Sequence, residues 1–133
     1  MLSRASEVFN QLTLGAFSKL EVNTEQETPT LMARRTTGQL VEVAGLSEGT
    51  LDQLFLALRI AALEMQIASR HAMPFLADDL FVNFDDERSR AGFAALRELS
   101  EKTQVIFLTH HEHLLPIVQQ VFGTGVNVMH LTR

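Results

Sequence analysis

Asp78 closes the apolar run MPFLAD (73–78), and Asp79 stands beside it. Two adjacent carboxylates repel each other and lose hydration unless a cation or a water chain relieves them. If the run is a strand of an open α/β sheet, the pair sits at its carboxyl end, where such sheets bind ligands. The plainer reading keeps Asp79 solvated and lets Asp78 cap the next turn. His110 follows a second apolar run, QVIFLT (104–109), and parallel strands would bring it to the same edge. His110, His111 and His113 are close in sequence, but neighbours need not converge and no cysteine assists, so they are not expected to form a metal cluster. His71 and His130 carry no argument.

A third segment, LSEGTLDQ (46–53), lies where a strand hands over to a long helix. Free backbone N–H groups at a helix start attract anions. Gly49 permits close approach, and the Ser47 hydroxyl can donate to a phosphate oxygen. The same residues also read as a plain capped helix, because Thr50 with Gln53 fits the T-x-x-Q capping pattern. Asp85, Asp86 and Glu87 open another helix, where acids are ordinary.

The elements that would position these groups follow from hydrophobic period. Residues 3–14 read as a helix with Val8, Phe9 and Leu12 on its apolar side. FSKLEVN (17–23) alternates like a half-buried strand, and NTEQETP (23–29) is a polar loop. TLMARR (30–35) and QLVEVAG (39–45) read as strands joined by a TTG turn, which completes an antiparallel meander. From Thr50 to about Arg70 the period is helical. Leu51, Leu54, Phe55, Leu58, Ala61, Ala62 and Met65 form one side, and Leu56, Ile60, Leu63 and Ile67 another. A helix this apolar is buried on more than one side. Strand 73–78, helix 85–102, strand 104–109, a helix within 111–122 containing Pro116, and a last strand at 126–131 complete an α/β order with a parallel sheet and flanking helices.

Composition bounds the rest. The chain has 133 residues, room for one domain, and 46% are apolar. Eleven basic against 16 acidic residues give a formal net charge of −5, so no global pull toward nucleic acid exists. Without cysteine there are neither disulfides nor thiolate metal sites, which is compatible with the cytoplasm. No apolar run is long enough to span a bilayer, and MLSRASEVFNQL does not read as a secretory signal.

Taken together, the motifs resemble those of ABC-type ATPases. LSEGTLDQ resembles the signature motif LSxGxxxQ, PFLADD the Walker B strand, FDDE the D-loop, and IFLTHHEHL the strand with the switch histidine. The order agrees, and so does the spacing: 31 residues from Ser47 to Asp78, 7 from Asp78 to Asp85 and 32 from Asp78 to His110. The spacing is similar to that of SMC-like heads. The wording RTTGQLVEVAGLSEGTLDQLFLALRIAA and MPFLADDLFVNFDDERS is closest to the SbcC/YhaN-type ATPases of bacterial double-strand-break repair. No GxxxxGK[ST] phosphate loop occurs. The family carries it in an N-terminal lobe beyond a coiled coil. The chain thus looks like the C-terminal half of a P-loop NTPase head, either a piece of a longer protein or a truncated gene product.

The resemblance implies roles residue by residue. Asp78 would hold the water shell of Mg²⁺, and Asp79 would polarise the attacking water. His110 would contact the γ-phosphate of ATP. Ser47, Gly49 and Gln53 would touch nucleotide held by the opposite protomer of a head homodimer, and Asp85 would couple the two sites. Asp79 stands where most of the superfamily has glutamate, and its shorter reach implies slow hydrolysis. Leu80 replaces a usual proline. The implied partners are the missing Walker A lobe, a second head, and DNA for the full-length protein. The isolated chain is expected to be inactive. It is also expected to self-associate through faces that the missing lobe would cover, namely Leu56, Ile60, Leu63 and Ile67 and the flanks of the meander. Two other classes fit the same residues: an interaction module that keeps the fold without turnover, and a small metal-dependent hydrolase using Asp78, Asp79, Asp85 and His110.

Overall fold

A computed structural model describes residues 1–69 and 71–132. The order is α1 (Leu2–Leu12), β1 (Phe17–Asn23), β2 (Thr30–Arg35), β3 (Leu40–Glu42), α2 (Glu48–Ser69), β4 (Phe75–Asp78), α3 (Asp86–Ser100), β5 (Val105–Leu108) and α4 (Leu115–Phe122). Strands β1, β2 and β3 form the expected antiparallel meander. Strands β4 and β5 pair in parallel, with Leu76 opposite Ile106 and Asp78 opposite Leu108. The chain is therefore mixed α/β, with one small sheet of each kind.

Most boundaries shift by one or two residues from the sequence expectation, and one expected strand is absent. β3 stops at Glu42 because Val43–Gly45 tightens into a 3₁₀ turn that feeds α2. α2 begins at Glu48 rather than Thr50, because Ser47 supplies the cap. α4 starts only at Leu115, after a 3₁₀ turn at Glu112–Leu114; Pro116 falls in its first turn, where the missing N–H costs nothing. Residues 126–131 form no strand: they pair with no ladder among the described residues, and an apolar run without a partner gains no sheet hydrogen bonds. The expected end of the long helix near Arg70 lies outside the described residues.

The core joins α1, the meander, α2, α3 and the buried face of β4–β5. Ala5, Val8, Phe9 and Leu12 of α1 meet Leu54, Ala57, Ile60 and Ala61 of α2. Leu56 and Ile60, expected to lie uncovered, are buried instead. The open stripe of α2 carries Phe55 and Met65. The parallel sheet is also covered on one side only. Phe75 and Ala77 are buried, whereas Leu76, Ile106 and Leu108 on the other face are about half exposed. Parallel sheets normally have both faces covered. Among the described residues no helix is long and apolar enough to cross a membrane.

An aromatic cluster under α3 fixes the turn after β4. Phe81 and Phe84 stack at 5.0 Å. Phe81 meets Phe93 edge-on at 4.8 Å and Phe107 at 5.0 Å. Gly92 is the necessary gap: a Cβ there would lie 2.5–3.0 Å from three atoms of the Phe81 ring. Gly92→Ala is therefore expected to lower stability, with overpacking of about 1–3 kcal/mol exceeding a helix-propensity gain of about 1 kcal/mol. Urea unfolding measures this, and Phe81→Leu should relieve most of the cost. A stabilised Gly92→Ala chain would show that the helix gain wins.

Candidate functional site

Asp78 ends β4 with its side chain exposed on the open side of the sheet. The chain turns sharply at the next residue. Asp79 has φ 54°, a left-handed conformation that aspartate tolerates better than most residues. Its N–H still donates to the Leu108 carbonyl at 2.7 Å, so the reversal stays stitched to β5. This turn aims the Asp79 carboxylate at the end of β5. Thr109 Oγ1 donates to its Oδ1 at 3.0 Å. His110 Nδ1 lies 3.3 Å from Oδ2, and His111 Nε2 lies 3.5 Å from Oδ1. The His111 N–H in turn donates to Thr109 Oγ1 at 3.0 Å.

Asp78 and His110 thus share the carboxyl edge of two adjacent parallel strands, but Asp79 is the carboxylate that His110 meets. Contrary to the sequence expectation, His110 and His111 do converge. Opposed directions hold only within a strand, and β5 ends at Leu108, so the chain is free to turn both rings toward Asp79. His113 stays apart, its ring 5.6 Å from that of His111. Thr109 and His111 carry no pattern in the sequence that marks them. Asp78 and Asp79 also line a cleft of about 330 Å³ with Phe55, Arg59, Val82 and Asn83.

The signature-like segment lines a different cavity of about 350 Å³. Ser47 is exposed at the start of α2, and its Oγ accepts from the Thr50 N–H at 3.2 Å. Arg35 and Arg88 line the same cavity and make it electropositive. Neither arginine was singled out by the sequence, because arginines from distant segments carry no local pattern. Gly49 is buried: a Cβ there would lie 3.1 Å from both the Asn83 carbonyl and an Arg88 nitrogen. Its glycine thus packs closely against its own chain. Gln53 points inward, where its Nε2 donates to the Leu12 carbonyl. Its Oε1 has no partner among the described residues. Asp85 caps α3, accepting from the Arg88 N–H at 2.8 Å. No residue lines both cavities; the hydrogen bond from Asn83 to Asp52 at 2.9 Å lies within the wall of the first.

No family model matches the chain. One curated relative, the uncharacterised protein YhaN of Bacillus subtilis (strain 168), is 34% identical over 115 residues. That stretch is 86% of this chain and only 12% of YhaN. Among solved structures, an SMC ATPase described for ATP-driven dimerisation and DNA-stimulated activation superposes with a TM-score of 0.70 at 17% identity, over 89% of this chain and 69% of that one. The fold is that of an SMC-type ATPase head. The SMC head domain of Thermotoga maritima superposes with a TM-score of 0.63 at 21% identity, over 90% of this chain and 39% of its own. An SMC head bound to the C-terminal winged-helix domain of ScpA gives 0.69 at 19% identity, over 87% of this chain and 36% of that head. The chain thus spans a part of each SMC head, and it resembles YhaN in sequence.

Proposed function

We propose that the chain is the C-terminal half of an SMC-like ATPase head that binds and hydrolyses Mg-ATP when joined to a Walker A lobe and a second head. The observation that carries this reading is the meeting of Asp79 with His110 at the carboxyl edge of β4 and β5, away from the cavity of Ser47. Residues of one catalytic centre that line separate cavities of one chain fit a site completed by a second copy. YhaN supports the SbcC/YhaN branch of this reading, and a place in DNA repair or chromosome maintenance in the cytoplasm follows from that branch alone.

The residues suit the groups they would hold. Asp78 offers a hard oxygen donor, exposed at a strand end beside an open cleft, which suits a hydrated Mg²⁺. When bound, that ion would neutralise charge on the transferring phosphoryl group. Asp79 keeps a carboxylate oriented by Thr109 and is placed to accept a proton from an attacking water. His110 presents Nδ1 to Asp79, which leaves Nε2 to reach a phosphate oxygen. The Ser47 hydroxyl, the first N–H groups of α2, and Arg35 with Arg88 form an anion-attracting surface for nucleotide on the opposite head. The open face of Leu76, Ile106 and Leu108 would receive the Walker A lobe.

Nucleotide binding and turnover by the isolated chain, compared with the same chain joined to its Walker A lobe, test this reading. The isolated chain is expected to show no turnover, because positioning of the β- and γ-phosphates falls to groups it lacks. The joined protein is expected to hydrolyse ATP slowly. A joined, folded and dimeric protein that does not bind ATP would overturn the reading in favour of an interaction module.

A further inference from the structure

We propose that Asp79, His110 and His111 form a binding site for a zinc-class divalent ion, with His111 as a ligand that no motif of the chain assigns. Each residue offers one ligand atom, and the three atoms lie within 4.8 Å of one another. A tetrahedral ion with bonds of about 2.0–2.1 Å spaces its ligand atoms about 3.3–3.4 Å apart. His110 Nδ1 stands 3.3 Å from Asp79 Oδ2, near that edge length, while His111 Nε2 stands 3.5 Å from the other oxygen, Oδ1. The remaining gap closes by rotation of rings that are free to move, since the His110 side chain is 78% exposed and that of His111 31%.

The surroundings hold the Asp79 carboxylate before any ion arrives. The left-handed turn at Asp79 and its N–H bond to Leu108 fix the carboxylate. Thr109 Oγ1 donates to Asp79 Oδ1 and accepts from the backbone N–H of His111, so one hydroxyl orients the oxygen donor and ties down the main chain that carries the His111 ring. Such outer contacts set ligand geometry in metal sites. Stability offers a poor account of the cluster, because even fully charged pairs at the surface contribute only about 0–1 kcal/mol. Two imidazoles and one carboxylate select Zn²⁺, Co²⁺ or Ni²⁺ over Mg²⁺, which prefers oxygen donors. Three protein ligands leave a coordination position for water. The site requires neither nucleotide nor a second lobe, so it is tested on this chain alone; an ion held there would occupy Asp79 and His110 and slow any turnover that depends on them.

The test is a titration of the tag-free 133-residue chain with Co²⁺, followed by visible absorption, and then with Zn²⁺ by calorimetry. One equivalent of Co²⁺ is expected to give the intense absorption of a low-coordinate ion, lost on adding Zn²⁺ and kept in excess Mg²⁺. His111→Ala and His110→Ala are each expected to weaken Zn²⁺ binding by at least about tenfold, the lower range even for outer-contact changes. His113→Ala and His71→Ala should leave it unchanged. Circular dichroism checks that the variants fold, and the near-isosteric Asp79→Asn gives a second loss of binding without a change of shape. Absence of Co²⁺ binding, unchanged affinity in His111→Ala, or an equal loss in His113→Ala would overturn the proposal.

Discussion

Replacing Phe93 by alanine is expected to lower the free energy of unfolding by about 3–5 kcal/mol. Phe93 is 2% exposed and touches three rings, Phe81 at 4.8 Å, Phe107 at 5.0 Å and Phe122 at 6.5 Å. Truncation leaves a cavity between α3 and β5 that the backbone of neither can close. For a domain whose total stability is about 5–15 kcal/mol, this loss puts folding itself at risk. The effect should also reach the candidate site. Phe81 anchors the turn that begins at Asp79, and Phe107 lies three residues before His110. Urea unfolding measures the loss, and side-chain NMR of His110 and His111 should report greater motion. A cost below about 1 kcal/mol would mean that the cluster repacks and does not position the turn.

In the protein joined to its Walker A lobe, Asp79→Asn and Ser47→Arg are each expected to cut turnover by about 10²–10⁴-fold, the range for loss of a positioned proton acceptor. The informative result comes from mixing them. If each centre takes Asp79 from one head and Ser47 from the other, a mixed dimer carries one centre with both defects and one with neither. Random mixing should then restore about a quarter of wild-type turnover, since about half of two-fold dimers are mixed and each has one intact centre of two. Cis centres would give no restoration. The separate cavities of Ser47 and of Asp78 with Asp79 are what favour the first outcome.

Local periodicity set the order of the elements. The runs Phe17–Asn23 and Thr30–Arg35 are strands with the expected bounds, although burial alternates strictly along neither: a register shift between Phe17 and Lys19 disturbs β1, and β2 is paired on both sides. The apolar runs ending at Asp78 and near Thr109 pair in parallel, and strands so paired bring their carboxyl ends together. The meeting edge of Asp78 and His110 was therefore readable before any coordinates.

Contacts between distant segments decided the rest. Gly49 is packed under Asn83 and Arg88, and Gln53 is turned inward onto Leu12; neither partner is near them in sequence. Leu56 and Ile60 are covered while Phe55 is open, since a helix apolar on most of its surface leaves its orientation to whatever packs against it. The run 126–131 has a strand's composition and no ladder, because composition supplies propensity but hydrogen bonds need a neighbour. Asp79, His110 and His111 come together through a left-handed residue and the end of a strand. The first of these is stitched to β5 by the hydrogen bond from Asp79 to Leu108, a contact across 29 residues that no local pattern encodes.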